Sequence, residues 1–401
     1  MWWNKRVVRP EAEDDRALTD AARSGDHRNA FIMLGLGGAV VAAFGIAAAA
    51  AIVAPVFFAL VLTICVHPLR VALERRGVPR GIATGSVITA VTLLLLAFGY
   101  AVLVAFGQFA ELLPEFADEI REWGADVAAW LASIGIGADG VSALVADFDP
   151  ASLVAFAGSL VGGLVGVTSA LVIVFTMLLL MAMDAGYLPT LLRQTRPYRP
   201  LLVTALSGYA TNVRRYMVVT TVLGIVQGAV NWLALVLLGV PGAFIWGLLA
   251  FLCSFIPNVG YFIAIIPPII FGGLVGGWPT VIAVIVVYGL INAVIQSIIQ
   301  PRVVGNAVSL SQTITFFSVL LWAVVLGPIG AILAIPLTLL LRVVLVDANP
   351  RVAWIRPLLG ELDETKALIA ETDAAAKAER HARHESSRTI PDHAAPTPEP
   401  E

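Results

Sequence analysis

The chain has 401 residues, 59% of them hydrophobic and only 13% charged, at a mean hydropathy of +0.88. A soluble domain carries about 25% charged residues, and no water-soluble core absorbs this much apolar surface. The composition therefore excludes a soluble fold and predicts an all-α, polytopic integral membrane protein. The 25 basic and 28 acidic residues nearly cancel, which gives no footprint for nucleic acid.

Residues 1–30 hold six basic and six acidic side chains without apolar periodicity and are expected to form a mobile cytoplasmic N-terminal tail. No small-residue cleavage site follows the first apolar run, so a removable signal peptide is not expected. Residues 31–106 form the first membrane region. Phe31 to Val66, with Pro55 inside, is too long for one perpendicular span and predicts two coupled helices in a hairpin. His67 to Arg80 is then a short loop with four arginines, which the positive-inside rule places in the cytoplasm. Ile82 to Phe106 is a third span.

Residues 107–150 carry nine acidic side chains and a single basic one, Arg121, the pattern of a translocated segment. Phe109, Leu112, Phe116, Ile120, Trp123, Val127 and Trp130 recur at three and four, predicting an amphipathic helix with an acidic outer face.

Residues 151–346 form the second membrane region. Ala151 to Met183 returns inward, with Gly158, Gly162 and Gly166 spaced for close helix approach. Residues 184–215 carry Asp184 and five arginines and are expected along the inner surface. Met217 to Leu238 crosses outward. Two short arms, Ala243 to Ile256 and Tyr261 to Val275, then flank a Pro257-Asn258-Val259-Gly260 break, and Thr280 to Ile299 is a further crossing. A second pair, Thr313 to Leu326 and Ala331 to Val346, surrounds Gly327-Pro328-Ile329-Gly330. These are two Pro/Gly-broken hairpins, and the total is about six to nine membrane helices of bilayer-spanning or shorter length. Residues 347–401, with seven basic and eleven acidic side chains and a proline-rich end, read as a disordered cytoplasmic tail.

No Asp or Glu occurs between Asp184 and Asp347. Ion-coupled transporters usually keep a carboxylate at membrane depth. Here the polar groups at depth are amides and hydroxyls, which suit an uncharged, hydrogen-bonding solute. Broken helices in repeated positions point to a transporter binding site. The candidate pathway residues are therefore Pro257, Asn258 and Gly260, the amides Asn292, Gln296 and Gln300 at a spacing of four on one helical face, and Gln227 and Asn231. Arg302, Gly305, Asn306 and Asp184 are candidates for an inner gate or an interfacial anchor. Gly327, Pro328 and Gly330 are candidate hinges. The bland reading of the same features is a loop between short spans and amides that bond a neighbouring helix. No catalytic set, no metal-ligand cluster and no cofactor motif is present, and Cys65 and Cys253 read as buried thiols.

The order of motifs resembles the autoinducer-2 exporter family of bacterial permease-like proteins. The resemblance rests on His67-Pro68-Leu69 to Glu74-Arg75-Arg76-Gly77-Val78-Pro79-Arg80, Leu238-Gly239-Val240-Pro241, Phe255-Ile256-Pro257-Asn258-Val259-Gly260, Gln300-Pro301-Arg302-Val303-Val304-Gly305, and Gly327-Pro328 through Pro336. It implies an inner-membrane homo-oligomer in the lipid bilayer, with a small-molecule solute as cargo, and the distribution of basic residues, of which only Arg121 falls outside, predicts that both termini are cytoplasmic. Some members are linked to export of autoinducer-2 and others to sodium/proton exchange. Relatives often carry acidic residues where this chain has the neutral Ser254 and Gln296. Three functions stay open at this level: a transporter of a small polar solute working by alternating access, a sodium/proton antiporter, and a non-transporting membrane scaffold.

Overall fold

The computed structural model describes residues 33–112, scattered positions between 116 and 133, and residues 170–304, 310–360 and 363–388. Among these the chain is helical and contains no strand. In chain order the helices are α1 (Met33–Ala48), α2 (Ala50–Arg75), α3 (Arg80–Leu112), α4 (Ala170–Asp184), α5 (Leu188–Thr195), α6 (Pro200–Leu237), α7 (Ala243–Cys253), α8 (Gly260–Asn292), α9 (Gln300–Val304), α10 (Gln312–Ile332), α11 (Ala334–Arg342), α12 (Arg356–Leu359) and α13 (Asp363–Arg388).

Two family-resemblance motifs are helix stops built alike. At the end of α2, Gly77 takes φ 88° and the Val78 N–H donates to the Leu73 carbonyl at 3.2 Å. At the end of α6, Gly239 takes φ 70° and the Val240 N–H donates to the Leu235 carbonyl at 3.0 Å. Each satisfies the last orphan carbonyls with a left-handed glycine, and the proline two residues on prevents the helix from resuming. The expected loop 67–80 is thus a correction: α2 runs through to Arg75 and only the Gly-Val-Pro stop separates it from α3. Ala49 alone joins α1 to α2, at φ −100° and ψ 13°.

A second correction concerns 184–215. Only α5, bent 59° from α4 and exposed along its length, matches the expected surface segment. From Pro200 the chain is one continuous helix of 38 residues, about 57 Å at 1.5 Å per residue, nearly twice the ~30 Å hydrocarbon core. Arg214 and Arg215 ride on it and are held by backbone carbonyls: Arg214 Nε donates to Ile64 at 3.0 Å and Arg215 Nη2 to Val303 at 3.0 Å.

Both broken hairpins are present: the first turns at 257–260, where Asn258 has φ 64°, the second turns at a glycine, and a further glycine reversal ends the first hairpin's second arm. Gly277 inside α8 has φ 60° and ψ −159°; Gly327 inside α10 has φ 71° and ψ −156°. This backbone region is essentially confined to glycine. Around Gly277 the chain doubles back. A Cβ on Gly272 would touch Thr280 and Val284, and one on Gly289 would lie 3.6 Å from the Tyr261 hydroxyl, residues a straight helix would hold about 42 Å apart. Residues 260–276 and 278–292 are therefore antiparallel arms. Around Gly327, Trp322 Nε1 donates to Thr338 Oγ1 at 3.0 Å, tying the arms of the second hairpin. Gly330 lies against the Trp322 carbonyl with no room for a side chain.

The arm 278–292 continues as a π-helix from Ala293 to Ile299. Position 301 is a proline, which has no backbone N–H to give to the carbonyl four residues back, and the wider turn precedes it. Beyond the second hairpin, Asp347 receives Arg342 at 3.3 Å and Arg356 at 3.1 Å, and the Ser311 N–H donates to the Leu359 carbonyl at 3.0 Å. Ser311 in turn caps α10, accepting from the Ile314 N–H. The expected disordered tail from 347 is corrected: 350–359 is helical and folded against the start of α10, and Asp363–Arg388 is a helix. Its alanines and its Asp373/Lys377 and Glu379/Arg383 pairs at i, i+4 supply helix propensity that composition alone obscured.

Candidate functional site

On α6 the usual amphipathic order is inverted. The outward face is apolar: Val218, Val222, Ile225, Leu233 and Leu237 are all exposed. The buried face carries Tyr209, Tyr216, Thr220, Gln227 and Asn231, none more than 6% exposed. Their spacing of 7, 4, 7 and 4 follows 3.67 residues per turn, so they form one straight stripe along the helix. A helix that turns polar groups inward and aliphatics outward is stable only where the surroundings are lipid.

The stripe is incompletely hydrogen-bonded. Tyr209 Oη and Asn231 Oδ1 are buried without a hydrogen-bond partner, as are Tyr288 Oη and Asn292 Oδ1 on α8, while the buried hydroxyls of Tyr216 and Thr220, one turn apart, have only each other. Leaving a buried polar atom unpaired costs about 1–3 kcal/mol, so native proteins keep few such atoms and each needs a reason.

The face is covered in two parts: Tyr209 and Tyr216 pack among Phe57 and Val61 of α2 and Leu333, Ile335 and Leu337 of the second hairpin, and the first hairpin covers the part toward Leu237. Gly224 and Gly228 of α6 sit against Phe251, Ser254 and Gly247 of α7, with glycine meeting glycine where the two backbones touch. This small-xxx-small contact brings the helices closer than any larger pair would. Measured from the α6 end at Leu237, the 1.5 Å rise puts Asn231 at about 9 Å, Gln227 at about 15 Å and Thr220 at about 26 Å in depth. Measured from Gly277, Tyr288 lies at about 16 Å and Asn292 at about 22 Å. By this arithmetic the polar groups of the two helices fall at overlapping depths.

The sequence-predicted residues divide accordingly. Gln227 and Asn231 are buried on the stripe; Asn292, Gln296 and Gln300 are all half-buried, on or beside the π-helical turn. Those three extend from mid-depth to the level where Arg215 meets Val303. The amides are therefore spread along the two helices rather than gathered in a single pocket. Asn258 is exposed at the hairpin tip, with φ 64°, and its Nδ2 donates to Gln312 Oε1 at 3.5 Å. Pro257 is half-buried beside it, and Gly260 is pressed onto the Cys253 backbone. Ile256 and Val259 at this tip pack against Val319 and Trp322 of the second hairpin. Gly327 and Gly330 make the second hairpin's turn, with Pro328 exposed. Arg302 and Asp184 are exposed, and Gly305 and Asn306 lie outside the described residues.

Sequence reasoning missed the hydroxyls Tyr209, Tyr216, Thr220 and Tyr288, because it sought amides. The 7-4-7-4 spacing was the signal available for the first three. Among the scattered positions of the acidic segment, Phe116 meets Phe271 edge to face at 5.9 Å, while Asp118, Glu122 and Asp126 are exposed, an arrangement of the kind the periodicity called for.

The family model for AI-2E family transporters matches residues 32–349, which takes in every helix of this arrangement from α2 to α11. The chain belongs to the AI-2E transporter family. It is 30% identical over 316 residues to the AI-2 transport protein TqsA of Escherichia coli strain K12, covering 78% of this chain and 91% of that protein. It is 29% identical over 313 residues to the transport protein YhhT of the same strain, described as putative, covering 78% and 89%. A Mycobacterium tuberculosis transport protein of the same description, MT0215, is 26% identical over 306 residues, 71% of this chain. As an AI-2E family member the chain is a multi-pass membrane transporter, and its family is made of transporters rather than enzymes. Among the described residues five helical runs are long and apolar enough to span a bilayer, six if the bent pair α4 and α5 is one span, and one of the five, Gly260–Ile299, is two antiparallel arms because of the reversal at Gly277.

Proposed function

We propose that this AI-2E transporter carries a small, uncharged, polyol-like solute along a polar track between α6, the first hairpin and the arm 278–292. The observation that carries this reading is the buried stripe of unpartnered hydroxyl and amide atoms on α6. Such atoms gain partners when a hydroxyl-rich solute, or its water, occupies the track in another conformation of the hairpins. The two hairpins, one turning at the 257–260 break and the other at Gly327, and packed tip to flank, are the moving parts, and α2, α3 and α6 are the frame. Alternating access at broken helices has this division of labour. The name of the relative TqsA supports autoinducer-2 as the first solute to try.

Sodium/proton exchange is disfavoured by the lack of any carboxylate between Asp184 and Asp347. A scaffold role leaves the buried unpartnered atoms without purpose. The arginines at the ends of α2, in α5 and in α6 support placement in a cytoplasmic membrane with both termini inside. A homo-oligomer is part of the same proposal, and native mass spectrometry in detergent tests it.

The deciding experiment is flux of labelled autoinducer-2 in proteoliposomes, with and without sodium and proton gradients, for the natural protein and for Asn231→Leu. Saturable flux that disappears in the variant at equal folded protein supports the proposal. Equal flux in both overturns the track, and gradient-driven flux without a membrane carboxylate overturns the argument against antiport.

A further inference from the structure

At the end of the molecule away from Leu237, a cleft of about 410 Å³ opens between α2 and α6. Its walls include His67, Arg75 and Arg76 of α2 and Arg214 of α6, over an apolar floor that includes Val71 and Ala72. The α2 residues recur at i, i+4 and i+8, so one face of the helix lines the cleft. We infer that this cleft is a binding site for the phosphate of an anionic phospholipid, separate from the solute track.

Charge is the first argument. Three guanidiniums line one cleft, and among the described residues no carboxylate pairs with Arg75, Arg76 or Arg214. The nearby acid, Glu74, is taken by Arg70 at 3.3 Å and Arg80 at 3.6 Å. The C-terminal end of α2 offers only about half an elementary negative charge against them. Arg214 spends its Nε on the Ile64 carbonyl, which fixes the guanidinium plane and leaves its terminal N–H groups for a ligand. Arginine forks of this kind match phosphate oxygens in paired hydrogen bonds.

Depth is the second. Arg214 lies about 35 Å along α6 from Leu237, and Arg75 lines the same cleft. That is just beyond a ~30 Å hydrocarbon core, at the level of lipid phosphates. The third is the floor. Val71 and Ala72 provide an apolar surface beneath the charges, and the neighbouring Leu69 is 54% exposed, so the cleft continues onto a lipid-facing surface. A free anion needs no such floor, whereas a glycerophospholipid presents phosphate and apolar glycerol-ester atoms together. Basic clefts between membrane helices bind anionic headgroups by this combination.

The test uses the full chain in phosphatidylcholine nanodiscs titrated with phosphatidylglycerol, with bound lipid counted by native mass spectrometry. Arg75→Gln with Arg76→Gln is expected to weaken phosphatidylglycerol binding at least tenfold, while Arg193→Gln with Arg196→Gln on α5, matched in charge and outside the cleft, changes it less than threefold. Arg214 is left intact because it also anchors α2. Arg75→Lys with Arg76→Lys keeps the charge and is expected to retain binding within about fivefold, which separates charge loss from misfolding. In the natural protein, a photoactivatable phosphatidylglycerol should label the C-terminal turn of α2. Equal losses in the cleft and control variants, or labelling elsewhere, overturns the site. If millimolar inorganic phosphate displaces the lipid, the cleft takes free phosphate and the lipid assignment is wrong.

Discussion

A Cβ built on Gly228 would sit 2.7 Å from the carbonyl oxygen of Gly247, and one built on Gly247 would sit 2.8 Å from the carbonyl oxygen of Gly228. The two glycines are mutually exclusive with any side chain, and together they set the distance between α6 and the first hairpin. Gly228→Ala is expected to push α7 away and destabilise the protein by about 1–3 kcal/mol, as overpacking of a fixed interface does. Thermal unfolding in detergent checks this, with Gly85→Ala, where the added atom meets nothing within 4 Å, as the unaffected control.

Gly327 gives a second, conformational prediction. At φ 71° and ψ −156° an alanine is strained whatever room it has, so Gly327→Ala should cost about 1–3 kcal/mol or open the second hairpin. Opening separates Trp322 from Thr338, and the change is read as a shift in tryptophan fluorescence. An unchanged melting temperature together with unchanged emission would contradict the reversal described here.

Stability and flux should part company at Tyr288. Its hydroxyl is buried without a partner, so Tyr288→Phe removes an unpaired group at nearly constant shape. The expected result is a protein as stable as the natural one or up to about 1 kcal/mol more so, with reduced solute flux. A loss of stability would show that the hydroxyl has a structural bond and would remove it from the track.

Arg70 joins α2 to α4. It is 7% exposed, donates from Nη1 to the Ala182 carbonyl at 3.0 Å and pairs with Glu74. Arg70→Met strands the half-buried Glu74 with only the exposed Arg80, at an expected cost of about 2–3 kcal/mol; this is less than for a fully buried pair because water still reaches Glu74. Glu74→Gln in the same background should recover part of the loss, which a double-mutant cycle by chemical denaturation measures.

Asp347 holds the end of the second hairpin by accepting both Arg342 and Arg356. Asp347→Asn is expected to free residues 350–359 from the start of α10 without unfolding the membrane helices. Hydrogen exchange should quicken at Ser311, whose N–H donates to Leu359, and remain slow in α6. Exchange that quickens throughout would show that this belt supports the whole fold.

Much of the architecture was legible because lipid imposes few solutions. Runs of about twenty apolar residues must be helices, and Gly and Pro must mark their ends. The Pro257-Asn258 break and the turn at Gly327 could be read directly, since each is a local backbone requirement, whereas the stop at Gly77-Val78-Pro79 was hidden inside what read as a loop from 67 to 80. The spacing of three and four from Phe109 to Trp130 was equally local. The candidate site was half legible: Gln227 and Asn231 were identifiable as polar residues at membrane depth, but the tyrosines that share their face were not.

The sequence by itself determined that the chain is helical, that it breaks at 257–260 and at Gly327, and that no carboxylate sits between Asp184 and Asp347, because these depend on composition and on single-residue backbone geometry. The tertiary structure decided which face of each helix is covered. A hydropathy window scores a residue the same whether it meets lipid or another helix, so it cannot show that Val222 faces out while Thr220 faces in. It also decided that α6 continues through Arg214 and Arg215, because only the distant carbonyls of Ile64 and Val303 supply partners that let two charges ride on an unbroken helix. The pairing of Gly228 with Gly247 belongs to the same class, since close approach is a property of two surfaces and neither sequence segment contains it alone.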